Sequence, residues 1–119
     1  MYKIKSLISF DPDVDLKRWK PQSNTDVYLL VEIEIGAENA SGGNLFYVKL
    51  ATPEALVKHE EHPFLVKNRT IVMTSYDYRA FKSLLLEIID QCSRVSWEET
   101  CVALQRYFQW EYEDNIDVE

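Results

Sequence analysis

The chain has 119 residues, of which 46% are hydrophobic and 28% are charged, and this composition is typical of a folded domain and excludes a disordered chain. A chain of this length holds one hydrophobic core, so we expect a single domain over residues 1–119. Its 13 basic and 20 acidic residues give a net charge of −7, which argues against binding to nucleic-acid phosphates or to an anionic membrane surface.

The N-terminal segment predicts a strand followed by a long loop. Tyr2 to Phe10 alternates loosely between apolar and polar residues, as a half-buried strand does. Pro12 lacks an amide hydrogen and cannot continue a sheet. We therefore expect a surface loop from Asp11 to Thr25, and loops of that length in small domains are often functional.

A β-hairpin is predicted next. Val27 to Ile35 alternates strictly, with Glu32 and Glu34 on its polar side. After a turn of small residues, Asn44 to Leu50 resumes the alternation. The two segments predict antiparallel strands with one face exposed to water.

A short helix and a further strand follow the hairpin. Thr52 is a suitable N-cap and Pro53 fits the first helical position, so a helix is expected to run to about Glu60. The helix should stop before Pro63, because the residue preceding a proline avoids helical dihedral angles. The β-branched residues of the segment Thr70 to Thr74 then predict a strand.

Two longer helices are predicted from the change to helical spacing. The first begins near Asp77, and its apolar stripe consists of Phe81, Leu84, Leu85, Ile88, Ile89 and Cys92. The second begins at Ser96, because Ser96 and Glu99 have the spacing of a capping box.

The last segment has two interpretations. Phe108, Trp110 and Tyr112 alternate with polar residues, which favours a strand within residues 108–113 over a continued helix, and we expect Trp110 to be buried. With early strands and late helices, the order predicts an α+β fold. This fold is a mainly antiparallel sheet of about five strands with helices packed on one face.

The local motifs do not predict catalysis or a metal site. His59 and His62 are three positions apart and are followed by Pro63, whereas a zincin helix carries its histidines four apart. A triad of Ser75, His59 and Asp77 lacks the strand–turn–helix setting of a nucleophile elbow. We therefore expect no enzyme, no cofactor and no bound metal.

Acidic residues cluster in two parts of the chain. Asp11, Asp13 and Asp15 alternate in the first loop but match only the opening of a calcium-binding EF-hand loop, because no glycine follows. The second cluster is C-terminal and interleaves with aromatic residues; it includes Glu111, Glu113 and Asp114. Such residues form either a solvated surface that keeps a protein soluble or a recognition surface for a basic partner.

The cysteine count and the N-terminus indicate the compartment. Cys92 and Cys101 are too few for a disulfide scaffold, so we expect free thiols. The first residues lack the apolar core of a signal peptide, and the chain has no apolar run long enough for a transmembrane helix. The expected location is cytoplasmic.

Several short motifs share their order and spacing with a known family. They are Phe10-Asp11-Pro12-Asp13, the run from Leu50 to Leu56 that contains Thr52-Pro53-Glu54, Tyr76-Asp77-Tyr78, Ser96-Trp97-Glu98-Glu99 and the run from Trp110 to Asp114. In these features the chain resembles the immunity protein 8 family of bacterial polymorphic-toxin and contact-dependent growth inhibition systems. The tail from Asn115 to Glu119 does not map onto the family pattern.

The resemblance implies a non-enzymatic antidote. Such a protein binds the toxic C-terminal domain of a cognate toxin in the cytoplasm and neutralises it. Many of these toxins are nucleases or other enzymes with cationic clefts, so a basic partner is expected, with a nuclease among the candidates. The residues expected to contact it are first Asp11, Asp13, Asp15, Glu111, Glu113 and Asp114, and second Glu32 and Glu34. The alternative is a small cytosolic acidic adaptor or regulatory subunit that binds a basic protein without any toxin.

Overall fold

The computed structural model describes residues 1–10, 13–59 and 68–113, and within them the chain forms six strands and three helices. In chain order these are β1 (Tyr2–Phe10), β2 (Asp13–Asp15), β3 (Tyr28–Ala37), β4 (Asn44–Ala51), α1 (Pro53–His59), β5 (Thr70–Val72), α2 (Tyr78–Cys92), α3 (Trp97–Leu104) and β6 (Gln109–Trp110). This arrangement confirms the α+β fold that the sequence predicts.

The described strands form one sheet in the order β2-β1-β3-β4-β5, and β6 also pairs with β4. Since β3 pairs along the whole of β4, β5 and β6 share the other edge of that strand. All pairs are antiparallel except β4 with β5, which are parallel. A parallel pair needs a crossover connection, and α1 lies within it.

The predicted loop from Asp11 to Thr25 contains one of these strands, so that prediction is wrong for its first part. Asp13–Asp15 form β2 at the sheet edge, with Asp13 opposite Phe10. Val14 packs against the core while the two flanking aspartates are exposed, so the segment has the alternation of a strand despite its acidic composition. Pro12 lies outside the described residues.

Strict alternation on β3 and β4 separates the two faces of the sheet. The buried side chains of one face are Leu29, Val31, Ile33 and Ile35 of β3 and Phe46, Val48 and Leu50 of β4. They form one hydrophobic cluster with Phe81, Leu85, Ile88 and Ile89 of α2 and with Cys101 and Leu104 of α3. Both longer helices therefore cover the same face, and removal of this apolar surface from water is the main favourable term in folding.

All three helices start where the sequence predicts, and a side chain caps two of them. The Asp77 carboxylate accepts hydrogen bonds from backbone N–H groups of α2, and the Ser96 hydroxyl accepts one from the Glu99 N–H at 3.1 Å. The hydroxyl of Thr52, predicted to cap α1, instead accepts from the Val27 N–H at 3.0 Å and donates to the Thr25 carbonyl at 2.7 Å. That side chain joins the start of the hairpin to the end of β4.

Side-chain burial differs from the prediction on α2 and at β6. Leu84 is exposed, because the buried residues of α2 centre on Leu85 and Ile88 and leave it at the margin of the stripe. The final segment is a strand, as favoured, but only Gln109–Trp110 pair with β4. Trp110 is half-buried and packs against the core, and Tyr112 is exposed.

Candidate partner-binding surface

The sheet face opposite α2 and α3 carries acidic, aromatic and aliphatic side chains, and we call it the open face. It is defined by Ser6, Ile8 and Phe10 of β1, Asp13 and Asp15 of β2, Leu30, Glu32 and Glu34 of β3, Leu45, Tyr47 and Lys49 of β4, and Gln109 of β6. Directly opposed residues of antiparallel strands share a face, so the strand register places all of them together. Phe10 is 45% exposed and Leu30 43%, so this face meets solvent.

One row of open-face residues crosses five strands. Its members, each opposite the next, are Gln109, Tyr47, Glu32, Ile8 and Asp15. Neighbouring strands lie about 4.8 Å apart, so the backbones of Glu32 and Asp15 are roughly 10 Å apart with Ile8 between them. Carboxylates and apolar groups thus alternate across the sheet.

Four of the predicted contact residues come together on the open face: Asp13, Asp15, Glu32 and Glu34. The Asp15 carboxylate accepts a hydrogen bond from the Lys17 N–H at 3.0 Å, and Glu34 accepts one from the Ser6 hydroxyl at 3.3 Å. Among the described residues, no lysine or arginine forms an ion pair with these four carboxylates. Their negative charges therefore remain uncompensated within that part of the chain.

Glu111 lies beside this surface and extends the pairing of β6 with β4. Its N–H donates to the Leu45 carbonyl at 2.9 Å, and its carboxylate accepts from the Leu45 N–H at 2.8 Å. Burial, followed by the negative charges of Glu32 and Glu111, raises the pKa of the Tyr47 hydroxyl above its usual value. Both carboxylates therefore act electrostatically on the same aromatic side chain.

Glu113 is engaged inside the fold. The Arg69 guanidinium donates to both carboxylate oxygens of Glu113, at 2.8 and 2.9 Å, and each of the two side chains is 23% exposed. Arg69 has a φ of 53°, in the left-handed region that non-glycine residues rarely adopt. The ion pair compensates the charge of Glu113 and attaches the segment after β6 to the segment before β5.

Two predicted contact residues, Asp11 and Asp114, lie outside the described residues, and so does His62. His59 stacks its ring on that of Tyr28, with centroids 4.1 Å apart. Within the described ranges, no group of three or more His, Cys, Asp or Glu side chains is placed to hold a metal ion.

Sequence reasoning missed the aromatic residues of the open face. The rings of Phe10 and Tyr47 stack with centroids 5.9 Å apart and an interplanar angle of 24°. Tyr47 is the register partner of Glu32, so the predicted hairpin contained the signal for it. Phe10 gave no comparable signal, because its place depends on pairing between distant parts of the chain.

Comparison with known proteins gives one match. A sequence model of the family described as Immunity protein 8 matches residues 2–115, which include every predicted contact residue. Searches among curated proteins and among solved structures found no match. None of the helices in the described part of the chain has the length and apolarity that a membrane crossing requires.

Proposed function

Because the chain belongs to the Immunity protein 8 family, it is an immunity protein and not an enzyme, and we propose that it binds and neutralises the toxic C-terminal domain of a cognate polymorphic or contact-dependent inhibition toxin. The observation that best supports this proposal is the open face. There Asp13, Asp15, Glu32 and Glu34 surround exposed apolar and aromatic groups. We place the neutralising complex in the cytoplasm.

The charge of the protein supports a basic toxin domain. A net charge of −7 attracts a cationic surface at long range and speeds the encounter. A nuclease domain fits this description, because a cleft that binds nucleic-acid phosphates is lined with lysine and arginine. Desolvated aromatic contacts would then slow dissociation of the complex.

The proposed contacts differ in the role that each residue has in the fold. The carboxylates on and beside the open face, together with the two outside the described residues, form the proposed contact set: Asp11, Asp13, Asp15, Glu32, Glu34, Glu111 and Asp114. Glu113 belongs to the predicted set as well, but its pairing with Arg69 supports a role in holding β6 in place. We expect its contribution to binding to be indirect.

Complex formation and protection test the function. The purified protein, mixed with the toxin domain encoded just upstream of its gene, should form a stable complex, and co-expression should restore growth to cells that produce the toxin domain. Failure to bind and to protect at low salt would contradict the proposal. Gene neighbourhood separates an antidote from an acidic adaptor, since an antidote gene follows a toxin gene.

Matched charge variants test the surface. The double variant Asp15→Asn/Glu32→Gln removes two open-face charges and should lower the association rate constant about threefold to tenfold at low salt. The control Glu87→Gln/Asp90→Asn removes the same two residue types from the exposed side of α2. Equal association rates for the two variants would reject the open face as the steering surface.

A further inference from the structure

The open face combines a stacked aromatic pair with carboxylates, and this combination suits a guanidinium group. We propose that the toxin domain presents an arginine side chain that stacks on the Phe10–Tyr47 pair and forms an ion pair with Glu32. The inference rests on the proposed function, because it names the chemical group by which the toxin domain is recognised.

The aromatic part of this site is a stacked pair of rings, of which Phe10 is exposed and Tyr47 is half-buried. The ring planes of Phe10 and Tyr47 are 24° apart, and Phe10 is 45% exposed. Leu30, 43% exposed, lies on the strand between β1 and β4 and enlarges the apolar surface. A planar cation stacks on such rings and is attracted by their negative faces.

The negative part of the site lies next to the rings. Glu32 lies directly opposite Tyr47 in the sheet, and Asp13 lies directly opposite Phe10. The raised pKa of Tyr47, to which Glu32 and Glu111 contribute after burial, is consistent with negative charge near its hydroxyl. The same charges that disfavour a phenolate at this position favour a cation there.

Lys49 of the open face already makes one contact of this type, with Tyr28 at the start of β3. Lys49 lies 5.1 Å from the ring centroid of Tyr28, and its ammonium group donates to the Tyr28 hydroxyl at 3.2 Å. The Lys49 ammonium is therefore engaged one row away from Tyr47, and within the part of the chain that the structure describes no cation lies over the Phe10 or Tyr47 ring.

Arginine fits this site better than lysine does. A guanidinium group can lie flat on a ring while its edge donates two parallel hydrogen bonds to one carboxylate. Glu32 is half-buried and stands beside Tyr47 on a central strand, so its carboxylate is positioned for such an edge-on contact. An ammonium group would act as a point charge and would lose the stacking contact.

The first experiment locates the arginine. The toxin domain, free and bound to the wild-type protein, is treated with phenylglyoxal, which modifies arginine, and the modified sites are identified by mass spectrometry. We expect at least one arginine to be modified in the free domain and protected in the complex. A complex that protects no arginine would overturn the inference.

A double-mutant cycle then tests the contact. Tyr47→Leu and Glu32→Gln should each weaken binding about tenfold, whereas Tyr47→Phe, which keeps the ring, should bind within about threefold of wild type. The same two variants are then measured against a toxin domain whose protected arginine is replaced by alanine. Against that domain, the factor by which each variant weakens binding should be smaller by about fivefold or more. Control variants are Glu87→Gln on α2 and Tyr107→Leu, whose ring packs beside the buried Phe108.

The outcomes separate the two proposals. A wild-type protein that does not bind the toxin domain contradicts the proposed function, and this inference falls with it. The wild-type protein could instead bind while the effects of the Tyr47 and Glu32 substitutions on binding free energy simply add to that of the arginine substitution. That result would overturn this inference alone. Circular dichroism of the Tyr47→Leu variant and the behaviour of Tyr47→Phe exclude unfolding as the cause of weak binding.

Discussion

Tyr76 shows at the residue scale how one buried polar atom affects stability. Its side chain is 6% exposed, and its ring packs edge-on against Trp19 at 5.4 Å. Among the described residues, its hydroxyl has no hydrogen-bond partner. A buried polar group without a hydrogen-bond partner lowers the free energy of unfolding by roughly 1–3 kcal/mol. Burial, followed by the nearby Tyr78 and Asp77, raises the pKa of Tyr76 to about 12.

Tyr76→Phe should therefore stabilise the protein. The ring contacts stay and the buried hydroxyl is removed, so urea unfolding at pH 7 should show a gain of about 1 kcal/mol. Because the unfolded chain ionises this tyrosine near its ordinary pKa of about 10, the wild type should lose stability as the pH rises from about 10 towards 12. Tyr76→Phe has no ionisable hydroxyl at this position, so it should not show this part of the alkaline loss of stability.

Unfolding curves at a series of pH values from 8 to about 12 check this prediction. The control is Tyr107→Phe, in which the tyrosine is exposed and no comparable gain is expected. A destabilised Tyr76→Phe protein, or the same alkaline loss in both proteins, would contradict the account given for this hydroxyl.

At the scale of the secondary-structure element, β6 depends on contacts outside its own two residues. The ion pair of Arg69 with Glu113 and the hydrogen bonds between Glu111 and Leu45 hold the residues that directly follow the strand. A two-residue strand has too few ladder bonds to stay paired alone. The position of the half-buried Trp110 therefore depends on an acidic residue that lies after it.

Glu113→Gln should loosen this element. Loss of a half-buried ion pair should lower the free energy of unfolding by about 1 kcal/mol. Amide hydrogen exchange at residues 109–111 should accelerate more than exchange in β3. Glu87→Gln, an exposed change of the same type on α2, serves as the control and should alter neither quantity. Unchanged exchange in Glu113→Gln would show that the ion pair does not hold β6.

The elements that the sequence predicts are those whose pattern is local. The alternation of β3 and β4 and the helical spacing of α2 follow from burial of one face of each element. β2 escaped prediction because aspartates are depleted in strands, and its strand conformation comes from pairing with β1. The parallel pairing of β5 also depends on tertiary contacts.

The candidate surface was predictable to the same extent. The placement of Glu32 and Glu34 on one face follows from the hairpin alternation, and the structure confirms that these residues share a face. Their approach to Asp13 and Asp15 required β2, which local pattern did not indicate. Tyr47 lies on the same face as its register partner Glu32, so the alternation of the hairpin already indicated its place.

At the scale of the whole molecule, the two faces of the sheet differ in what covers them. One face carries α2, α3 and the core, and the other carries carboxylates around exposed apolar groups; within residues 1–10, 13–59 and 68–113 the four carboxylates Asp13, Asp15, Glu32 and Glu34 form no ion pair with a lysine or arginine. Exposed charges act over about 10 Å at 0.1 M salt. If the open face is the contact surface, as proposed, its carboxylates act on a partner within that distance.

Association with the toxin domain should consequently depend on salt. Stopped-flow measurements from low salt to about 0.5 M should show the association rate constant of the wild type falling by about tenfold or more. The slope should be shallower for Asp15→Asn/Glu32→Gln than for the control Glu87→Gln/Asp90→Asn. A rate constant that does not vary with salt would contradict electrostatic steering by the open face.

The pairing of β6 with β4 also affects the order in which the sheet is completed during folding. Leu45 and Glu111 exchange two hydrogen bonds although they are 66 positions apart. Contacts this distant in sequence form late, because closing a long loop costs chain entropy before any contact compensates for it. The hairpin of β3 and β4 can form early. The other edge of β4 can pair with β6 only after β6 has been synthesised. The complete sheet therefore forms only after the chain has been synthesised through Glu111.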